Sequence, residues 1–260
     1  MDRLGPLARS AGHELIHLDR VGSTNAEALR RAETGVSGPL WVTAREQTGG
    51  RGRRGRAWQS PDGNLHASLL VTHLKSDEAA LLGLLASVAL ADAIDMLIPA
   101  LGPSLRLKWP NDVLVHGSKL AGILVEAESV GNLTAAAIGI GVNCRHKPTG
   151  LPYAAACLAD FDAEIEVAAL FESLSDQMAE HLLAGLRGDA LAVLRGRWLA
   201  RAAGLGRPIA VRLPDRTLEG TFETLDAEGR LILRNGNDRR VISYGEVFFG
   251  RPPPAFVADR

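Results

Sequence analysis

A chain of 260 residues, 46% of them hydrophobic and 23% charged, is long enough for one large domain and a small one, and too apolar to remain disordered. With 29 basic and 30 acidic residues the formal net charge is −1, so the molecule as a whole has no reason to coat nucleic acid, and any cationic feature must be local. The cysteines, Cys144 and Cys157, form no C-x-x-C pair, which argues against zinc and suits a reducing compartment, so the cytoplasm is the expected location.

Residues 1–12 carry charges and a proline but no apolar run, so no signal peptide is expected. Residues 15–18 read as a strand. A helix should start at Ser23-Thr24-Asn25, with Thr24 and Glu27 as a capping box, and run to about Arg31. Residues 35–39 form a turn, 40–45 a buried strand, and 49–61, rich in Gly and Arg, a loop. Residues 65–72 are a strand, and 77–97 one long helix with Ser76 as its cap. That helix is very apolar but contains Asp92 and Asp95, so it reads as buried in protein and not as a membrane span. Short strands at 105–109 and 113–115 flank Pro110, and 120–127 pairs with 133–142 across a turn at Gly131-Asn132. Residues 164–201 read as two helices. Beyond Leu205 the texture changes to short alternating β-branched runs at 208–213, 217–225, 230–233 and 240–244, which suggests a small all-β unit. The chain therefore divides into residues 1–204 and residues 205–260, each with its own core.

The densest chemical signal is the stretch from Gly49 to Trp58. Gly50, Gly52 and Gly55 satisfy G-x-G-x-x-G, but turn residues follow where a dinucleotide fold needs a helix, and Arg56-Ala57 stands where a P-loop needs Lys-Ser/Thr. Glycines let backbone N–H groups approach a ligand, and arginines offer paired donors to phosphate or carboxylate. Arg51, Arg53, Arg54 and Arg56 also repel one another, so the loop should order when an anion neutralises it. Trp58 offers a face for a flat ring. A solvated basic turn and an RGG-like nucleic-acid segment are the competing readings, and the net charge opposes the second.

Lys108-Trp109-Pro110-Asn111-Asp112 is either an ordinary turn or an oxygen cluster for Mg²⁺ beside phosphates. Lys119 is either a solvated strand end or a cation for developing phosphate charge, with Ala121-Gly122 leaving room for a ligand. Asn143 could read a base or cap a turn. Ser23-Thr24-Asn25 caps a helix, which does not exclude ligand binding at the same N–H and hydroxyl groups.

Together these stretches resemble the biotin protein ligases. Ser23 to Ala28, Gln47 to Pro61, Gly63-Asn64-Leu65, Lys108 to Asp112, Lys119 to Glu126 and Gly139 to Asn143 occur in the family's order. The resemblance implies an α+β fold: a mixed β-sheet catalytic domain of the class II aminoacyl-tRNA synthetase-like type with helices on one side, then a small SH3-like β-barrel. It implies ATP and Mg²⁺ as cofactors, with no zinc and no haem. It also implies biotinyl-5′-AMP formation, then transfer of biotin to a lysine of a biotin carboxyl carrier protein or a carboxylase's biotin-carrying domain.

By the same resemblance Ser23, Thr24, Asn25 and Gln47 would hold the ureido ring. Arg51, Gly52 and Arg53 would line biotin and the phosphates, with Arg54 and Arg56 also on the nucleotide. Trp58 would pack on adenine, Asn143 would face it, and Asn111 would support ATP. Asp112 would hold Mg²⁺. Lys119, catalytic with Arg51, would contact the biotin carboxylate and phosphate. Gly122 and Ile123 would wall the valeryl tail together with Gly139 to Gly141. Ala155-Ala156-Cys157-Leu158 departs from the family's Ala-Thr-Ser-Leu, which puts adenine-side contacts there in doubt. The residues before Ser23 are too few for a winged-helix domain, so no specific DNA binding is expected. No membrane association is expected either, and a sheet edge could mediate a homodimer. Lipoate–protein ligation is the alternative on a related fold.

Overall fold

The computed structural model describes residues 3–74, 76–79, 81–130, 133–162 and 164–250. The expected turn at 131–132 lies outside the described residues, as do 251–260. The helices are α1 (Pro6–Ser10), α2 (Thr24–Glu33), α3 (Ser76–Ala79), α4 (Leu82–Leu97), α5 (Val167–Ala184) and α6 (Gly188–Ala200). The first strands are β1 (Glu14–Val21), β2 (Leu40–Gln47), β3 (Leu65–Leu74), β4 (Leu105–Lys108), β5 (Asp112–Val115), β6 (Ser118–Val130) and β7 (Leu133–Val142). They form one sheet in the order β1-β2-β3-β7-β6-β5-β4. β1 and β2 are parallel, bridged by α2, and the other neighbours are antiparallel. The sheet is mixed, as expected.

Period-two alternation sorts the side chains of this sheet. Trp41, Leu65, Ala67, Leu69, Ile138 and Ile140 face α4 and the main core. Leu40, Val42, Leu70, Ala135 and Ala137 face the other way and pack under Ala28, Leu29 and Ala32 of α2. Helices therefore cover both faces, which corrects the expectation of one side. α2 is too short to cover its whole face, and the uncovered end carries the site.

α4 is buried on nearly every side between the sheet and α5 and α6. Its Asp92 is compensated by Arg197 (2.7 Å), Arg201 (3.1 Å) and His181 (3.4 Å). A buried carboxylate is tolerated when so paired. Among the described residues, no helix is long and apolar enough to cross a membrane. The single helix expected over 77–97 is interrupted: α3 and α4 are separate, and residue 80 between them is outside the described set. At α2 the cap is Ser23, whose Oγ accepts from Ala26 N, and not Thr24. Thr24 already belongs to the helix, and Glu27 pairs with Arg30 and Arg31 instead of closing a capping box.

The remaining strands are β8 (Pro208–Arg212), β9 (Thr217–Leu225), β10 (Leu231–Asn235), β11 (Asp238–Ile242) and β12 (Glu246–Phe248). They form an antiparallel sheet in the order β11-β10-β9-β8-β12. The expected all-β unit is thus a five-stranded antiparallel sheet, and no pairing of β11 with β12 closes it among the described residues. Nor does this unit keep a core to itself: Ile209, Val211, Phe222, Leu231 and Leu233 belong to the main hydrophobic cluster. The seam is made by Trp198 against Phe222, with ring centroids 6.3 Å apart, and by Trp109, whose indole N–H donates to Gly229 O at 3.1 Å.

Candidate active site

The site lies on the sheet face beyond the N-terminus of α2. Register places Gly122 opposite Gly141, and Gly139 opposite Ser68. His66 stands beside Gly141 in the same row. Three glycines thus open the middle of the floor, with His66, Ser68 and Leu124 beside them. What it seats is Trp58: a Cβ on Gly141 would lie 2.6 Å from the indole Nε1, and one on Gly122 3.2 Å from Cζ3. The expected room beside Gly122 is there, filled in this structure by Trp58. The Trp58 Nε1–H is buried and has no hydrogen-bond partner among the described residues.

The α2 end of the floor is a connected polar network. Gln47 Oε1 accepts from the Thr24 backbone N–H (2.8 Å) and hydroxyl (3.0 Å), and Gln47 Nε2 donates to Ser60 Oγ at 2.9 Å. Ser68 Oγ lies 2.7 Å from Thr24 Oγ1 and 2.6 Å from Asn25 Oδ1. Asn25 Nδ2 donates to Leu124 O (3.1 Å) and to Glu126 Oε2 (2.8 Å). Ser23, Thr24 and Asn25 are all buried. The structure therefore brings Ser23, Thr24, Asn25 and Gln47 together, as expected, and adds Ser68, His66 and Glu126. A signal for these existed: counting in twos from Gly122 reaches Glu126, and His66 and Ser68 alternate on β3.

The arginine–glycine stretch is a small hairpin. Arg51 bridges Ala57, Gly52 N–H donates to Arg56 O (2.7 Å), and Trp58 N–H donates to Gly50 O (2.9 Å). Its tip turns through Arg54 (φ 59°) and Gly55 (φ 70°). Carboxylates and carbonyls offset part of the expected repulsion among the four guanidinium groups, with Arg54 and Arg56 sharing Glu246. Arg51 reaches Glu126 at 3.2 Å. Arg53 donates to Asn111 Oδ1 (3.4 Å) and Gly245 O (3.2 Å). Arg54 donates to Arg212 O (3.2 Å) and pairs with Glu246 at 3.5 Å, and Arg56 pairs with Glu246 at 2.9 Å. Burial, then the like charge of Arg54, holds the Arg53 guanidinium below its ordinary pKa.

Lys119 Nζ lies 2.7 Å from Asp112 Oδ1, with the two side chains 18% and 17% exposed. The ammonium also sits 5.5 Å from the Trp58 ring centroid and 5.8 Å from that of Tyr153, so two aromatic faces flank it. Tyr153 had no signal in the sequence; it is delivered by a bridge between Lys119 and Ala155. Asn111 Nδ2 donates to Ile123 O at 2.6 Å, fixing the turn after Pro110. Lys108 on the same turn is depressed by burial, with Asp112 opposing that shift. Asn143 has a structural hydrogen bond of the turn-capping kind. It is 2% exposed and its amide donates to Ala156 O at 3.0 Å, so it braces the 154–158 segment.

Lys108, Lys119 and the four loop arginines thus face three carboxylates, Asp112, Glu126 and Glu246, in a chain that is nearly neutral overall. Such a surplus suits an anionic ligand. The fold and site define an α+β protein that receives an anionic small molecule on a glycine floor, beneath a cationic hairpin held from a second β-sheet. Residues 18–143 match the biotin/lipoate A/B protein ligase family, and residues 204–250 match the biotin protein ligase C-terminal domain. The chain is 43% identical to a biotin–[acetyl-CoA-carboxylase] ligase of Paracoccus denitrificans, over 90% of this chain and 99% of that one. It is 32% identical to the ligase of the same name from Mycobacterium tuberculosis, over 92% and 90%. Its fold matches the biotin protein ligase from Aquifex aeolicus in complex with biotin and ATP, with a TM-score of 0.75 at 24% identity, covering 90% of this chain and 97% of that one. The chain belongs to the biotin protein ligase family.

Proposed function

We propose that the chain is an ATP-dependent biotin–protein ligase acting on a biotin carboxyl carrier protein or a carboxylase's biotin-carrying domain. One observation carries the reading: Lys119 lies against Gly122 and Arg51 reaches Glu126 on the same sheet face, with Arg53 close by at Asn111, and beside them stand the buried Thr24 and Asn25 and the half-buried Gln47. Biotin has a neutral ureido ring at one end and a carboxylate at the other, and this site has hydrogen-bonding groups at one end and cations at the other.

In this reading Ser23, Thr24, Asn25 and Gln47 hold the ring, and Gly122, Gly139 and Gly141 floor the tail; Ile123, expected on this wall, pairs with Ile140 and faces the main core on the other side of the sheet. Arg51, Gly52, Arg53 and Lys119 bring the carboxylate and the α-phosphate together, offsetting the repulsion of two anions. A carboxylate oxygen bonds to the α-phosphorus as the bond to the bridging oxygen breaks, and pyrophosphate leaves. A carrier lysine amine then attacks the biotinyl carbonyl; the amide forms, the C–O bond to phosphate breaks, and AMP leaves. Trp58 leaves the floor to lie against adenine, with Arg54, Arg56 and Asn111 on the nucleotide side. Asn143 serves adenine indirectly, through the segment it braces. The small β-sheet is the family's SH3-like module, and it contributes Glu246 and Gly245 O to the hairpin.

The residues also fit Mg²⁺. Among the described residues no group of three or more His, Cys, Asp or Glu gathers, so an all-protein cage does not fit. Mg²⁺ is commonly held by one or two carboxylates plus substrate phosphates, and Asp112 is a carboxylate at the phosphate end. Bound there, the ion would neutralise phosphate charge. The free, buried Cys144 and Cys157 suit a reducing compartment such as the cytoplasm.

The test mixes the purified chain with ATP, Mg²⁺ and biotin and follows pyrophosphate release and adenylate formation, with lipoate in parallel. Biotin-dependent turnover is expected, and Lys119→Ala should lower it by about 10²–10³-fold, the usual loss on removing one charge-stabilising donor. Turnover with lipoate alone would move the chain to the other branch of its family. No turnover with either substrate would overturn the proposal.

A further inference from the structure

We infer that Glu126 is a positioning residue with one fixed arm and one releasable arm: it sets the Asn25 amide and parks Arg51 until a ligand anion takes it. The inference rests on the ligase reading for the identity of that anion. Glu126 pairs with Ala137 across β6 and β7, on the same face as Gly122. Its carboxylate is divided. Oε2 accepts from Asn25 Nδ2 at 2.8 Å, and Oε1 accepts from Arg51 Nη2 at 3.2 Å.

The two arms differ in environment. Asn25 is 4% exposed. Its Nδ2 is engaged by Glu126 and by Leu124 O, and its Oδ1 lies 2.6 Å from Ser68 Oγ. Rotating the amide by half a turn would set its carbonyl oxygen against a carboxylate and a carbonyl, so Glu126 fixes which polar atom of Asn25 faces Gly139 and the floor. This is the more enclosed arm, since Asn25 is buried and its amide has a second acceptor in Leu124 O. Arg51 is 50% exposed, and its contact with Glu126 is the longer one. Half-exposed pairs of this kind are weak and screened by water. A carboxylate or phosphate that offers two acceptors to one guanidinium competes well against such a single contact. Arg51 therefore waits inside the site instead of in solution, so less side-chain freedom is lost when the ligand arrives.

Glu126→Gln separates the arms. The glutamine carbonyl still accepts from Asn25, while the charge that holds Arg51 is gone. In the ligand-free variant, trypsin should cleave the arginine hairpin faster than in wild type. The biotin KM should rise by about two- to five-fold, the range for a half-exposed ion pair. The kcat should stay near wild type, because Arg51 is on the ligand once it has bound. In an Arg51→Ala background, Glu126→Gln should change neither hairpin cleavage nor biotin KM further. A melting curve on each variant checks folding, and the comparison within the Arg51→Ala background does not depend on Glu126→Gln matching wild-type stability. Unchanged cleavage and KM would overturn the inference, as would effects that add fully in the double variant. A fall in kcat with KM unchanged would also overturn it, since that places Glu126 in the chemistry. Calorimetry of biotin on the wild type separates this from the ligase reading. If wild type does not bind biotin yet the cleavage contrast persists, the reading fails and the parking of Arg51 stands.

Discussion

At the scale of single residues the site depends on what is missing from Gly122, Gly139 and Gly141. An alanine at position 141 would place its Cβ 2.6 Å from Trp58 Nε1, closer than real Cβ contacts come, so the indole or the strand must shift. Overpacking of this kind costs about 1–3 kcal/mol, and in a protein of this size each kcal/mol lowers Tm by roughly 2–4 °C. Gly141→Ala should therefore melt several degrees below wild type, with altered tryptophan fluorescence. Trp58 is the cause in this account. Adding Gly141→Ala to Trp58→Ala should cost less than about 1 kcal/mol in a double-mutant cycle, and equal cost in both backgrounds would show that Trp58 is not what the glycine accommodates. This detail was half legible in the sequence. The Gly-rich strand ends and the Trp after the arginines were visible, and so was the period that carries Glu126 onto their face. That the indole lies across the glycines could not be read, because it depends on a hairpin folding back over strands far from it in the chain.

Among the elements, the hairpin at 51–58 shows the limit of local reasoning best. Its composition predicts a loop that needs an anion to neutralise it. The structure neutralises it from elsewhere: Glu246 on β12 meets Arg54 and Arg56, and Gly245 O meets Arg53. β12 has only three residues and exists through its pairing with β8, so nothing in its own sequence announces it. α1 is similar: Gly5 N–H donates to Ser175 Oγ and Ala8 N–H to Asp176 on α5. β1 to β11 and α2, α4, α5 and α6 lie at or near runs read from the sequence, because each carries an apolar or alternating pattern of its own. Glu246→Gln should leave Tm close to wild type, because partly exposed pairs contribute about 0–1 kcal/mol. It should raise the ATP KM by up to roughly five-fold, since the hairpin would lose its anchor on the nucleotide side. A large drop in Tm with an unchanged ATP KM would mean that Glu246 holds the two sheets together and does not position the hairpin.

Across the whole molecule, two buried histidines couple folding to pH. His13 Nδ1 accepts from Trp41 Nε1–H at 3.2 Å, so that nitrogen carries no proton. His66 Nε2 lies 3.0 Å from Pro61 O, which can only accept; the proton is therefore on Nε2, and the buried Nδ1 has no partner to stabilise a second one. Burial depresses both pKa values, with Asp176 opposing at His13 and the Pro61 bond and Asp62 opposing at His66. The sign follows. Below the unfolded-state value of about 6.5, the unfolded chain takes up protons that the folded chain refuses, so stability falls as pH drops through the window between the unfolded and the folded pKa. Above about pH 7.5 the unfolded-state imidazoles are almost fully deprotonated as well, so neither group contributes much pH dependence there. Within that window each histidine adds a slope of up to about 1.4 kcal/mol per pH unit. The depressed carboxylates Glu27, Asp62 and Asp160 add their own losses only at more acidic pH. Urea unfolding at pH 7.5, 6.5 and 5.5 should therefore show a shallow fall over the first interval and a steeper one over the second, and His13→Gln with His66→Gln should flatten both. An unchanged slope in the double variant would mean that other groups carry the acid sensitivity. Since His66 stands beside Gly141 in the floor, a wild-type site saturated with biotin should also hold its stability to lower pH, because a ligand that binds only the folded form raises stability by mass action.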